Sequence, residues 1–233
     1  MNTINLIKTG LLQLFFPHTC YGCGSDLLSA ESLLCLRCLK DLPETNFAWH
    51  ANNPIEKKFW GRIPVQAAMT GFYFSKHAII QTLIHQLKYK NKKEVGIFLG
   101  NRLGMQLKEA NRFHQIDAII PLPLFPEKQK IRGYNQSAII AKGISEITSI
   151  PVWENIISRK IYTDSQTKKG RTERWENVKE SFALANPGAV QHKHLLLVDD
   201  VITTGATIEA CGSVLLSPGN VTLSIAALAY STD

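Results

Sequence analysis

The 233 residues carry a formal net charge of +7, with 45% hydrophobic and 19% charged side chains. That balance excludes a disordered chain and describes a globular protein long enough for one α/β domain of ordinary size plus a small appendage. The excess of cations favours polyanionic partners such as phosphates, nucleotides or nucleic acid, and does not choose among them.

The apolar stretch Leu6–Phe16 is interrupted by Lys8 and Gln13 and is too short to span a bilayer. No small-residue cleavage site precedes Cys20, so a docking helix and a cytoplasmic protein with no membrane span are expected. Cys20, Cys23, Cys35 and Cys38 then form a C-x2-C-x11-C-x2-C pattern. Two such knuckles place four thiolates around one tetrahedral, structural Zn²⁺. Disulfides are the alternative, but nothing in the sequence suggests the oxidising compartment they need. His18 could substitute as a ligand, although four cysteines already fill such a site. Residues 1–45 are expected to form a small zinc-binding module whose metal supplies folding free energy. Residues 46–63 are polar with an Asn52-Asn53-Pro54 turn signal and read as a linker to a larger domain over 64–233.

Within that domain Val65–Phe74 predicts a strand, and His77–Tyr89 a helix with apolar residues at 79, 80, 83, 84 and 87. His85 lies beside that stripe and reads as a satisfied or solvent-facing histidine. The helix ends in Lys88-Tyr89-Lys90-Asn91-Lys92-Lys93, cations that complement its dipole or face a phosphate. A second helix over Glu94–Ala110 and a buried strand over Ile116–Leu124, ending in prolines, follow. Arg132-Gly133-Tyr134-Asn135-Gln136 opens a further helix carrying Ile139, Ile140, Ile144 and Ile147. A guanidinium beside glycine at a helix start suits bidentate phosphate contacts; a solvent arginine in a turn is the plainer alternative. A short strand is expected near Val152–Ile157, followed by the basic loop Gln166–Asn177.

Leu195–Val198 reads as a strand buried on both faces, as in parallel sheets, with Asp199 and Asp200 at its carboxyl end, where open α/β folds bind ligands. Thr203-Thr204-Gly205-Ala206-Thr207 makes a small-residue turn into a helix over Ala206–Leu216. Uncovered backbone N–H groups and the helix dipole there cradle a phosphate. Two carboxylates would repel that phosphate; they suit hydroxyl groups or a divalent cation. A phosphorylated ribose satisfies both halves, while a glycine turn with two capping acids is the bland alternative. Cys211 is expected as a buried core thiol, and the closing strand Val221–Tyr230 completes a βαβ unit and hence a parallel sheet.

The segment Leu195–Thr207 closely resembles the ribose-phosphate signature of type I phosphoribosyltransferases, whose sugar donor is phosphoribosyl pyrophosphate (PRPP). That resemblance implies that Asp199 and Asp200 hold the ribose 2′- and 3′-hydroxyls and that Thr203, Thr204, Gly205, Ala206 and Thr207 wrap the 5′-phosphate. The cysteine knuckles, Leu87-Lys88-Tyr89, Arg132–Gln136, the Gln166/Arg171/Asn177 loop and this signature together resemble the ComF family over nearly the whole chain. The resemblance implies a parallel-sheet, type I phosphoribosyltransferase-like α/β domain behind a small N-terminal four-cysteine zinc module. It also implies a role in DNA uptake during natural competence, some members being associated instead with gluconate utilisation. Lys88, Arg132, Gly133, Gln166 and Arg171 would then face the donor's phosphates, and the loop would close over the donor and exclude water. Mg²⁺ would accompany PRPP, with Arg132 stabilising the departing pyrophosphate and Asp199 and Asp200 positioning the sugar.

Two classes of function follow: a Mg²⁺-dependent phosphoribosyltransferase with an unidentified acceptor, or a non-catalytic module that binds a phosphoribosyl ligand. In the second, the zinc module or basic surface would contact single-stranded DNA or a helicase-like partner in a competence complex. Thr203 departs from hypoxanthine–guanine salvage enzymes, which carry an aspartate there that acts on the base. A threonine hydroxyl is far too weak a base for that role.

Overall fold

The computed structural model describes residues 18–26, 32–75, 78–160 and 181–231. In chain order these form α1 (Leu36–Lys40), a 3-10 turn (Phe47–Trp49), α2 (Pro54–Phe59), β1 (Ala67–Phe74), α3 (Ile79–Tyr89) and α4 (Lys93–Glu109). Then come β2 (Ala118–Pro121), α5 (Pro126–Arg132), α6 (Gln136–Thr148), β3 (Ile157–Arg159) and β4 (Phe182–Leu184). α7 (Pro187–Val190), β5 (His194–Ile202), α8 (Ala206–Leu216) and β6 (Thr222–Ser231) complete them.

Among the described residues the main sheet has the order β1-β6-β5-β2 and is parallel throughout. Its strands are near-continuous apolar runs because helices cover both faces. Leu195 to Val198 are fully buried, as are Ile225 to Ala229. β5 runs on through Asp199 and Asp200 to Ile202 beside β6, so the acids lie inside the strand's last residues, not beyond it. β2 leaves β5 at the Pro121–Val198 pair. Prolines at 121, 123 and 126 lack the N–H that a ladder needs, so the chain turns away from β5 beyond that pair.

The strand expected near Val152–Ile157 is divided. Val152 makes an isolated parallel bridge to Ile119, and β3 begins at Ile157, pairing antiparallel with β4 in a separate two-stranded sheet. The loop carrying Gln166, Arg171 and Asn177 joins β3 to β4 and lies outside the described residues, as does the apolar stretch Leu6–Phe16.

Residues 46–63, read from sequence as a polar linker, are folded. Asn53 caps α2 through its Oδ1, accepting from Ile55 and Glu56, while its Nδ2 donates to the carbonyls of Phe47, His50 and Ala68. Ile55 and Phe59 are buried on the sheet side of this short helix. Polar side chains that serve as caps and tethers had the composition of a loop. On β1's outer side, Thr45 N–H donates to Gly71 O (3.0 Å) and Tyr73 N–H to Pro43 O (2.8 Å). A 2.5 Å ion pair from Arg102 to Glu44 holds this segment down.

α4 and α6 are in backbone contact. A Cβ on Gly100 would lie 2.4 Å from the Ile140 carbonyl oxygen, and one on Gly143 would lie 2.4 Å from that of Ile97. This approach, which only glycine permits, sets α6 against the sheet beside β5 and brings its first turn to Asp199.

Candidate functional site

Three separated stretches of sequence meet at the carboxyl end of β5. Lys88, in the last turn of α3, places Nζ 2.8 Å from Asp200 Oδ2. Ser137, in the first turn of α6, donates its hydroxyl to Asp199 Oδ1 at 3.2 Å, and the Asp200 N–H donates to the same oxygen at 2.8 Å. Burial, and then the neighbouring Asp200 carboxylate, push the Asp199 carboxyl up to about 7, against the opposing pull of the Asp200 N–H, Lys88 and Ser137. Burial and a like-charged neighbour both disfavour the charged form of a carboxyl, so they act on Asp199 in the same direction.

The turn after β5 reaches α8 through Gly205, which sits in the left-handed region at φ 79° and is the N-cap of α8 with no side chain capping it. A helix N-terminus behind a glycine turn is an anion cradle, and here Thr204 Oγ1 accepts from the Ala206 N–H at 3.4 Å. Thr203 and Thr204 are exposed at its rim, and Ala206 and Thr207 are partly buried. The cradle rests on residues that sequence reasoning missed. Arg62 Nη1 donates to the Thr204 carbonyl at 2.9 Å, while its Nη2 pairs with Glu209, a buried acid in the first turn of α8. The ring of Phe59 stands 3.1 Å from where a Gly205 Cβ would be. Both Phe59 and Arg62 come from the stretch read as a linker, and a polar stretch far upstream gave no local signal of this support.

Arg132 and Gly133 lie one layer further out. Gly133 ends α5 at φ 79°. Arg132 Nη1 donates to Gln136 Oε1 at 2.7 Å, and its guanidinium stacks 5.4 Å from the Tyr89 ring centroid. Tyr89 also packs against His85, with ring centroids 5.0 Å apart in a tilted arrangement. The Tyr134 hydroxyl donates to the Leu87 carbonyl. Asn135 caps α6 and ties back to the Leu122 carbonyl at 2.9 Å. Leu87-Lys88-Tyr89 and Arg132–Gln136 are therefore one cluster, tied to Asp199 and Asp200 through Ser137 and Lys88. Gln166 and Arg171 lie outside the described residues. Cys211 is a buried core thiol, and burial pushes its ionisation well up.

The second constellation is the cysteine cluster. The Sγ atoms of Cys20, Cys23, Cys35 and Cys38 all lie within 4.8 Å of one another, and the four are unbridged. Backbone N–H groups of Cys35 and Cys38 point at the sulfurs of Cys20 and Cys35 at 3.3 and 3.4 Å, as in a metal knuckle. Tetrahedral Zn²⁺ with bonds of ~2.3 Å spaces its sulfurs about 3.8 Å apart. The Cys23–Cys35 sulfur separation is 3.8 Å. The donor set fits a structural metal, and among the described residues His18 is not part of the group.

The chain was compared with known proteins on this footing. No family model matches it. Competence protein F of Haemophilus influenzae is 28% identical over 221 residues, spanning 88% of this chain and 93% of that protein. DNA utilization protein YhgH of Escherichia coli K12 is 29% identical over 81% of this chain and 80% of its own length. Competence protein ComFC of Bacillus subtilis is 28% identical over 43% of this chain and 39% of its own. The solved structures it resembles include a Bacillus subtilis glutamine PRPP amidotransferase, at a TM-score of 0.44 and 18% identity over 61% of this chain and 30% of that one. A purine phosphoribosyltransferase of Pyrococcus horikoshii aligns at a TM-score of 0.37 and 24% identity over 59% and 72%. Among the described residues, no helix is long and apolar enough to cross a membrane.

Proposed function

We propose that this competence-protein homologue binds PRPP with Mg²⁺, or a closely related phosphoribosyl ligand, at the carboxyl end of β5, and transfers the phosphoribosyl group to an acceptor in the handling of incoming DNA. The observation that carries this reading is the juxtaposition of the Asp199–Asp200 pair with the Gly205 turn and helix N-terminus. That arrangement gives hydroxyl acceptors on one side and phosphate donors on the other. The names of the relatives, competence protein and DNA utilization protein, supply the cellular setting.

In this reading the carboxylates of Asp199 and Asp200 accept the 2′- and 3′-hydroxyls, and Thr203 to Thr207 wrap the 5′-phosphate. Mg²⁺ bound with the donor would supply charge neutralisation for the leaving group. Arg132, Lys88 and the Gln166/Arg171 loop meet the pyrophosphate, and closure of that loop excludes water from the activated sugar. The cysteine cluster holds structural Zn²⁺. The deciding experiment is calorimetric titration of the native protein and of Asp199→Asn/Asp200→Asn with PRPP and Mg²⁺. Binding lost in the double variant supports the site; no binding to the native protein overturns it.

A second reading is favoured by the rim. Tyr89 is 63% exposed and is flanked by Arg132, which suits stacking of a nucleobase beside cationic phosphate contacts. The protein is then a ligand-responsive binder of single-stranded DNA or of a helicase-like partner, without turnover. Steep weakening of DNA binding with salt, and no pyrophosphate release from PRPP with any acceptor, would select it.

A further inference from the structure

The cysteine cluster is joined to the β5 site through the segment that carries Lys88. Tyr21, between two of the cysteines, donates its hydroxyl to Glu94 Oε1 at 2.7 Å. Lys92 Nζ stands 5.0 Å above the Tyr21 ring and 3.9 Å from the same Glu94 oxygen. Lys92 is the N-cap of α4 and Glu94 lies in its first turn, and Lys88, the partner of Asp200, lies about one helical turn before Lys92. The neighbouring Lys93 places Nζ 4.9 Å over the Tyr134 ring, inside the Arg132–Gln136 cluster. The start of α3 is gripped as well: a Cβ on Gly22 would meet the Ile79 side chain at 2.7 Å and Cys38 Sγ at 3.0 Å, so the knuckle backbone is pressed against that helix. Both ends of the segment that presents Lys88 therefore bear on the knuckle.

We propose that Tyr21 and Glu94 are positioning residues, through which occupancy of the cysteine cluster and occupancy of the β5 site are coupled. A four-thiolate knuckle is folded with its metal and unfolds without it, so the metal gives the molecule a two-state element. With the knuckle folded, Tyr21 holds Glu94 and Lys92, the α3–α4 turn is held, and Lys88 faces Asp200. With the metal removed, that tether goes and the turn is free to carry Lys88 away. Coupling of this kind is reciprocal, so a ligand at β5 that requires Lys88 in place slows metal loss by the same factor. The ligand half rests on the phosphoribosyl reading above; the metal half does not.

The full-length, zinc-loaded protein tests both halves. First, hydrogen exchange is followed before and after removal of the metal with a chelator. Exchange over residues 85–94 and 132–137 should speed by roughly tenfold, within the usual ~5–150-fold range of such couplings, with β5 and β6 unchanged. Acceleration confined to residues 18–40, or spread equally through β5 and β6 as in global unfolding, overturns the proposal. Second, zinc transfer to a chromogenic chelator is timed with and without saturating ribose 5-phosphate, whose binding is measured by calorimetry on the same sample. Slowing in the native protein that vanishes in Tyr21→Phe and Glu94→Gln, both at full zinc content, supports the coupling. Unchanged release while calorimetry shows the ligand bound overturns it. Absence of ribose 5-phosphate binding counts against the phosphoribosyl reading, and the exchange experiment then decides the coupling by itself.

Discussion

Lys88 Nζ and Asp200 Oδ2 lie 2.8 Å apart, with side chains 20% and 14% exposed, so the site's cation already engages one of the two acids. Lys88 sets a cation against a repelling carboxylate pair. Replacing it with methionine leaves that pair without its cation. Lys88→Met should weaken ribose 5-phosphate binding by about tenfold, or ~1.4 kcal/mol, in a calorimetric titration. Unchanged affinity would show that Lys88 is a bystander.

The raised ionisation of Asp199 has two consequences of opposite sign. Its folded value, about 7, lies above the ordinary carboxylate value. The stability linked to its protonated form is thus fully present below about pH 4 and is lost as pH rises through 7. The charged form that the proposed contacts to sugar hydroxyls call for appears over the same interval. Denaturation midpoints of the native protein should fall relative to those of Asp199→Asn between pH 5 and 8, while ribose 5-phosphate affinity should rise. Parallel midpoint curves for the two proteins would remove this assignment.

Gly205 combines a φ of 79° with the Phe59 ring 3.1 Å from any added Cβ. Gly205→Ala therefore pays both backbone strain and a displaced ring, about 1–3 kcal/mol together. Urea denaturation should show that loss, and calorimetry a weaker phosphate interaction. Full stability would mean that the turn relaxes at no cost.

Glu209 is 4% exposed at its side chain and is paired with Arg62. Arg62→Met strands a buried carboxylate, which costs about 3–5 kcal/mol, whereas replacing both partners with apolar residues recovers much of it. Comparing Arg62→Met with Arg62→Met/Glu209→Met by denaturant melts checks this, and equal stabilities of the two would refute it.

Removing one thiolate should abolish tight metal binding. Cys38→Ser is expected to lower zinc from one equivalent per chain to a small fraction, read by atomic emission on the purified protein. Retention of a full equivalent would place the metal elsewhere.

Much of this was legible in the sequence because it is local. The β5 apolar run, the paired acids, the glycine turn and α8 arrive consecutively, and the cysteine spacing shows its own geometry. Contacts across long separations were not legible. Ser137 reaches Asp199 from 62 residues away, and Arg62 reaches Thr204 from 142. Periodicity carries no information about which helix ends at which strand. The stretch 46–63 misled for a different reason: Asn53 spends its polarity on caps and carbonyls inside the fold, and composition does not distinguish that from solvent contact.

The rungs that Pro43 and Thr45 place on β1 bear on how the molecule behaves in crowded solution. Without them β1 would present a row of bare amides and carbonyls to the outside, a template on which a second copy could lay its own strand. Residues 43–45 follow directly on the cysteine module, held by Arg102 and by the module's own packing. A chain clipped between the module and Asn46 would be an adhesive monomer, and its first visible symptom would be turbidity.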